Sequence, residues 1–342
     1  MRECDVSVVI PTYNRTSLLG RALNSIAQQT VQPSEVIIID DCSEAAVIKE
    51  VNAIVSSFSA LLKIRLIVNE SNSGANRSRN KGISVANSRY IAFLDSDDLW
   101  LPEKLERQIG AIERAKTASS KPVLSATGRY RVDGRGEFIA RQFGGHVLDS
   151  LKIRKSNFIG TLSSVIVEAA IARQIHGFNE ALPASQDWDF FIRLSDYVHY
   201  VGVAQPLCVY VDHGNDRITL DYRKKLRGHI AIYKNHIRYS VYDVNTIRAE
   251  FLRNIAEDYQ ELGNRSKAAF FYANALSSRI QPGFLEYMAA CVLRASFRVL
   301  ALPALRQRRY QRYRRSMDRL RRNKETWATI REDERVIQGL IA

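Results

Sequence analysis

Cysteine is scarce in this chain, and long apolar runs are missing. The 342 residues hold four cysteines, Cys4, Cys42, Cys208 and Cys291, far apart and in no metal-ligand spacing. That excludes a disulfide framework and reads as free thiols in a reducing compartment. No run approaches the roughly 20 apolar residues that cross a bilayer. Arg2, Glu3 and Asp5 precede only a short apolar strand, which does not suit a secretory leader. The expected location is the cytoplasm. No periodic repeat is evident, which sets aside a solenoid. Acidic residues are in deficit, 36 against 50 basic ones, for a net charge of +14.

What is present is an alternation of strands and helices. Val6 to Ile10 reads as a strand, Pro11-Thr12-Tyr13-Asn14-Arg15 as a loop, and Leu18, Leu19, Ala22, Leu23 and Ile26 recur at helical spacing. A second apolar run, Val36 to Ile39, ends in Asp40-Asp41-Cys42-Ser43. A third, Ile64 to Val68, leads to Asn69 and then Ser73-Gly74-Ala75-Asn76. Residues 75 to 86 read as a helix leading to a strand that ends at Asp95. This order predicts a parallel, right-handed βαβ array with polar residues at one edge, where open α/β sheets bind ligands.

The densest feature is Ile91-Ala92-Phe93-Leu94-Asp95-Ser96-Asp97-Asp98, an apolar run that stops in a knot of carboxylates. Such acids repel one another unless a cation or a proton relieves them. Hard oxygens on a tight turn suit Mg²⁺ or Mn²⁺ shared with substrate phosphates. The plainer alternative is a solvated loop of helix-capping acids.

The strand-end blocks, with Arg79-Asn80-Lys81-Gly82, Gly177-Phe178-Asn179-Glu180 and Gln186-Asp187-Trp188-Asp189-Phe190-Phe191, occur in order. Together they resemble the family 2 glycosyltransferases of the bacterial surface-polysaccharide type, inverting sugar-nucleotide enzymes of the GT-A fold. The resemblance spans roughly residues 5 to 220. It implies an α/β GT-A domain, residues 1–221, with an α-helical extension, residues 222–342. Carried over position by position, it sets Thr12 and Tyr13 against the nucleobase and gives Asp41 a hydrogen bond from the base edge. Gly74 would supply a backbone conformation that a larger side chain resists, and Arg79 would face the ribose or diphosphate. Asp97 would bind Mg²⁺ or Mn²⁺ directly, with Asp95 nearer the ribose and the metal's hydration shell. Asp187 matches the general base. The residue before it is usually glutamate, and Gln186 departs from that pattern, which bears on acceptor preference.

The residues themselves leave other roles open. Asp187 could cap the amphipathic segment of Phe190, Phe191, Leu194 and Val198, in which Asp189 and Arg193 form an i,i+4 pair. Asp189 is the fallback base. Trp188 suits an acceptor wall or the core, and Gly160-Thr161 an acceptor groove or a strand entry. His213 and Arg217, after the strand-like run Val201 to Val211, could close over the diphosphate or complete the metal shell, or lie at the surface. Asp40 either binds or ends its strand.

From about residue 222 the strand signals stop. Residues 256 to 276 read as a helical hairpin resembling one tetratricopeptide-like unit. Basic residues then cluster from Arg294 to Lys324 among Leu293, Phe297, Leu300, Tyr310 and Tyr313. A basic amphipathic segment suits an anionic membrane surface, and a solvated helix face uses the same pattern. Nucleic-acid binding ranks last, since no nucleic-acid fold accompanies the charge.

The leading expectation is a metal-dependent transferase that moves a sugar from a UDP- or dTDP-linked donor to a glycan or lipid-linked glycan, working in the cytoplasm or on the inner face of the membrane. Two alternatives remain: a non-catalytic sugar-nucleotide-binding scaffold, and a nucleotidyltransferase. The latter needs a Gly-rich triphosphate loop after the first strand, and Pro11 to Arg15 is not one.

Overall fold

A computed structural model describes residues 2–145, 150–212, 221–237 and 244–278. They fall into two compact units, one drawn from Met1–Ile153 and Asn157–Arg217, the other from Arg154–Ser156 and Ile218–Val336. His213, Arg217, Cys291 and the basic cluster at 294–324 lie outside the described residues.

The first unit begins as the alternation predicts. It runs β1 (Glu3–Thr12), α1 (Thr16–Ala27), β2 (Gln32–Asp40), α2 (Ala45–Ser57), β3 (Ile64–Val68), α3 (Ala75–Val85) and β4 (Tyr90–Phe93). These four strands pair in parallel in the order β3-β2-β1-β4. Val6, Val8, Val9, Ile10, Val36 to Ile39 and Ile91 to Phe93 are fully buried, which explains strands that are apolar on both faces. Each Val, Ile or Phe among them contributes roughly 1.5–3 kcal/mol of burial energy.

Beyond β4 the sheet is no longer parallel, which the alternation did not anticipate. The chain continues through β5 (Leu99–Trp100), α4 (Lys104–Lys116), β6 (Val123–Asp133), β7 (Phe138–Gln142) and α5 (Ser150–Lys155). A short 3₁₀ turn, Leu162–Ser164, precedes β8 (Val165–Glu168), α6 (Ala169–Gln174), α7 (Gln186–Leu194) and β9 (His199–Asp212). The order is completed as β4-β8-β6-β9-β5, with β7 on β6. β8 runs antiparallel to both β4 and β6, whereas β6 and β9 are parallel.

The second unit holds α8 (Tyr222–Ile232), a π-helical turn (Tyr233–Ile237), α9 (Val244–Glu261) and α10 (Arg265–Ser277). Asp221 caps α8 by accepting from the Arg223 and Lys224 amides. Small Ala268 and Ala275 are buried, and Tyr259 stacks on Phe271 at 5.4 Å. No helix among the described residues is long and apolar enough to cross a membrane.

One core feature of the first unit is costly. Lys104 is fully buried on α4, with its amine donating to Gln108 Oε1 at 2.7 Å and 3.9 Å from the Trp100 ring centre. Burial pushes the amine's pKa down from 10.5 to about 7. The unfolded chain therefore holds a proton that the folded chain refuses between those values, so this group makes stability climb as pH rises through that window. Lys104→Met should flatten the climb and raise stability near neutral pH by on the order of a few kcal/mol. Urea unfolding of both chains at about pH 7.5 and about pH 9.5 reads the difference; equal slopes would show a charged amine in the fold.

Candidate active site

The parallel register brings the carboxyl ends of β1, β2, β3 and β4 to one edge, and the residues just past them form the site. Thr12 ends β1. It is buried, and its Oγ1 has no hydrogen-bond partner. Tyr13 follows it into solvent, 46% exposed. At the end of β2, Asp40 accepts from the Ser43 amide and hydroxyl, both at 2.7 Å, and so shapes its own turn.

Asp41 is buried and rich in donors. It accepts from Asn69 Nδ2 at 2.8 Å, the Ser73 amide at 3.0 Å and hydroxyl at 3.1 Å, and the Gly74 amide at 2.7 Å. Burial alone would raise its carboxyl, but these donors outweigh it and hold the pKa below the usual value. Asp41 thus ties the β2 end to the loop that enters α3. Gly74 sits at φ +87°, a conformation that larger residues resist.

The acid knot after β4 divides by direction. Asp95 Oδ1 accepts from Arg79 Nη2 at 2.6 Å, and Asp97 Oδ2 from Arg15 Nη1 at 2.7 Å. Both carboxylates stay partly exposed, 28% and 17%. Arg79 is 7% exposed, and its Nε and Nη1 are buried without a hydrogen-bond partner, the guanidinium lying 5.7 Å from the Phe178 ring centre. Asp98 turns inward instead. Its Oδ2 accepts from Ser163 Oγ at 2.6 Å and Thr161 Oγ1 at 3.3 Å, and its Oδ1 from the Val211 amide at 3.3 Å. Burial, with the charges of Asp97 and Asp95 added, pushes the Asp98 carboxyl well above the usual range. Ser163 Oγ also accepts from the Asp95 amide at 3.1 Å, so the hydroxyl sets the backbone of the knot.

This donor set fits a hard divalent cation. Asp95 and Asp97 are half-buried carboxylates whose charge already draws two guanidinium groups. Among the described residues no cluster of three or more His, Cys, Asp or Glu side chains could hold a metal unaided. A cation here would draw its remaining ligands from a bound diphosphate and water.

Asp187 is the second residue of α7, and the cap position itself belongs to Ser185. Its Oδ2 accepts from Asn157 Nδ2 at 2.8 Å, and its Oδ1 from the Trp188 amide at 2.8 Å. Burial pushes its carboxyl up, although the Trp188 amide, the Arg79 charge and Asn157 pull the other way. Aromatic packing fixes α7 against β4: Phe178 stacks on Phe190 at 4.2 Å, and Phe93 meets both edge-on.

Other expected residues fall into structural positions. Asp189 is 1% exposed and paired with Arg193 at 2.8 Å, the i,i+4 contact its spacing predicts. Trp188 is 5% exposed with its indole N–H donated to the Ile153 carbonyl, a core placement rather than an open wall. Thr161 is buried against Asp98. Gly160, at φ +92°, leaves room for Arg129, whose Nη1 donates to the Ile159 carbonyl at 2.8 Å; a Cβ would stand 1.4 Å from that nitrogen.

Arg15, Asp98, Ser163 and Asn157 had no assigned role in the sequence. Arg15 and Asp98 stood inside blocks already singled out, whereas Asn157 carries no local signal and is found only through Asp187.

The chain matches the glycosyl transferase family 2 description over residues 7–170, which takes in the acid knot and Thr161. The amylovoran biosynthesis glycosyltransferase AmsB of Erwinia amylovora is 30% identical over 218 residues, 61% of this chain and 70% of that relative. The chain belongs to glycosyl transferase family 2 and carries that family's enzyme domain. Its fold matches that of TarS from S. aureus, solved with UDP-GlcNAc, at a TM-score of 0.59 and 20% identity over 81% of this chain and 80% of that one. A mannosyltransferase from Pyrobaculum calidifontis, solved with GDP-Man and Mn²⁺, gives a TM-score of 0.50 at 17% identity over 98% of this chain and 86% of that one. This is the GT-A fold, with a helical region after it. The chain spans 70% of the length of AmsB and 32% of that of a glycosyltransferase from Rickettsia bellii.

Ser163 joins Asp98 to the Asp95 amide, the first bond buried and the second partly buried. Ser163→Ala should therefore cost about 1–3 kcal/mol of stability, read from urea unfolding. A loss within error of zero would mean that the hydroxyl is not a tie.

Proposed function

We propose that this chain is an inverting, metal-dependent glycosyltransferase acting in polysaccharide synthesis. It would move a sugar from a nucleoside diphosphate, UDP or dTDP, to a hydroxyl of a glycan or lipid-linked glycan. The observation that carries the reading is the division of labour among the acids. Asp95 and Asp97 face guanidinium groups at the strand edge. Asp187 stands apart on α7, oriented by a neutral amide, Asn157.

Burial raises the Asp187 carboxyl against the pull of the Trp188 amide, the Arg79 charge and Asn157, which keeps it basic. Asp187 in this role accepts the proton of the acceptor hydroxyl as that oxygen bonds to the anomeric carbon. The bond from that carbon to the diphosphate oxygen breaks in the same displacement, and the diphosphate leaves with the electron pair. One base and one displacement invert the anomeric configuration. A bound Mg²⁺ or Mn²⁺ supplies charge neutralisation for the departing diphosphate. Asp97 would hold it, with Asp95 toward its water shell and the ribose. The unpartnered Nε and Nη1 of Arg79 suit the diphosphate or ribose, and the unpartnered Thr12 Oγ1 suits the base beside Tyr13. Asp41 keeps lone-pair capacity on Oδ2 for the base edge, since only the Gly74 amide is bonded there.

Known relatives support the coarse class: AmsB is named for amylovoran biosynthesis, and the two solved transferases hold UDP-GlcNAc and GDP-Man with Mn²⁺. We place the work on the inner face of the membrane, where the basic cluster at 294–324 would meet anionic lipid.

Asp187→Asn should lower transfer by about 10²-fold or more while calorimetry finds donor binding nearly unchanged. Near-normal turnover would remove the base assignment. The raised Asp187 pKa carries a pH signature: the base works when deprotonated, so kcat should fall as pH drops through a value above the ordinary aspartate 3.8. Asp97→Ala should weaken metal-dependent donor binding as well as transfer.

A further inference from the structure

We propose that Arg15 is the resident counter-ion of Asp97 and opposes a bare divalent cation until a diphosphate draws the guanidinium away, so that cation and nucleoside diphosphate are taken up together. This rests on the metal-dependent reading of the same site. The two arginines of the acid knot are built differently. Arg79 is 7% exposed and locked onto Asp95. Arg15 is 36% exposed and reaches Asp97 Oδ2 from the position just before α1, at 2.7 Å. Its backbone is anchored on the Asn14 side: the Asn14 amide donates to Ser43 Oγ at 2.8 Å, and the Asn14 side chain accepts from the Glu44 amide at 3.1 Å. The anchored loop leaves the guanidinium as the part free to swing.

A cation on either Asp97 oxygen would stand against the guanidinium charge already bonded to Oδ2. Because Asp97 already has a full positive charge against it, a bare cation exchanges one ion pair for another and gains little. A nucleoside diphosphate changes that balance twice. Its oxygens complete the cation's ligand set, and they give the displaced Arg15 a planar, two-oxygen partner of the kind guanidinium groups prefer. Arg15 then serves in both states, first neutralising the acid and afterwards holding the phosphate. The arrangement keeps the site charge-balanced before loading and makes metal affinity conditional on nucleotide.

The test uses the full chain and reads Mn²⁺ binding directly, from the loss of the free-ion electron paramagnetic resonance signal, with and without UDP. The wild type should bind Mn²⁺ weakly alone and firmly with UDP. Arg15→Gln should bind Mn²⁺ about tenfold more tightly without UDP and bind UDP less tightly. That gain should persist in about 0.5 M salt, where repulsion through solvent is screened. Arg15→Lys keeps a positive charge beside Asp97 and should bind Mn²⁺ without UDP as weakly as the wild type, while losing the two-oxygen hold on UDP. Circular dichroism confirms that each variant is folded, and the half-exposed pair makes loss of the fold a small risk. If Arg15→Gln binds Mn²⁺ no better than the wild type without UDP, or its gain vanishes in salt, the counter-ion role is overturned while a metal-dependent site stands. If no chain binds Mn²⁺ even with UDP, the metal reading falls and takes the inference with it.

Discussion

Three carboxylates in four positions at the carboxyl end of a central strand are the constraint around which this molecule is arranged. Asp95, Asp97 and Asp98 cannot all carry charge at such spacing without compensation. The fold answers with three separate solutions. Arg79, held on α3, neutralises Asp95, and Arg15, from the loop after β1, neutralises Asp97. Asp98 is turned into the interior, where Ser163, Thr161 and the Val211 amide bond it and burial favours its protonated form. The first strand loop, the third helix, the 3₁₀ turn and the ninth strand are drawn together by that one cluster.

The cluster also explains why β8 belongs beside β4. Ser163 lies in the turn that leads into β8, and its hydroxyl reaches both Asp98 and the Asp95 amide. The antiparallel strand therefore delivers a donor to the very residues that the parallel strand ends in. On the other side, the rings of Phe93, Phe178 and Phe190 pin α7. Asn80 secures the segment before that helix, donating to the Phe178 carbonyl and accepting from its amide. Blocks that look unrelated in sequence are thus single contacts in space, Arg79-Asn80 against Gly177-Phe178 being the clearest.

Much of this was legible. Largely apolar runs at Val6, Val36 and Ile91 announced two-sided burial, and the runs alternate with helices because parallel neighbours need crossovers. Gly74 proved to need its positive φ. The antiparallel half was not legible, because β8 is four residues long and an apolar stretch of that length fits strand or helix alike. Asp98 could not be told from Asp97 by sequence, since direction is set by which hydroxyls face the turn. Trp188 suited a sugar platform or the core equally by sequence, and its place in α7 sends the indole to the Ile153 carbonyl. Residue type was informative where it reported burial, and much less so where partners come from distant segments.

The most direct test of the central claim is release of free nucleoside diphosphate from a panel of nucleotide sugars, with Mn²⁺ or Mg²⁺ and with or without chelator. Slow hydrolysis of one donor that stops on chelation is the predicted result, and it would also name the sugar. Turnover that continues undiminished in chelator would contradict the account.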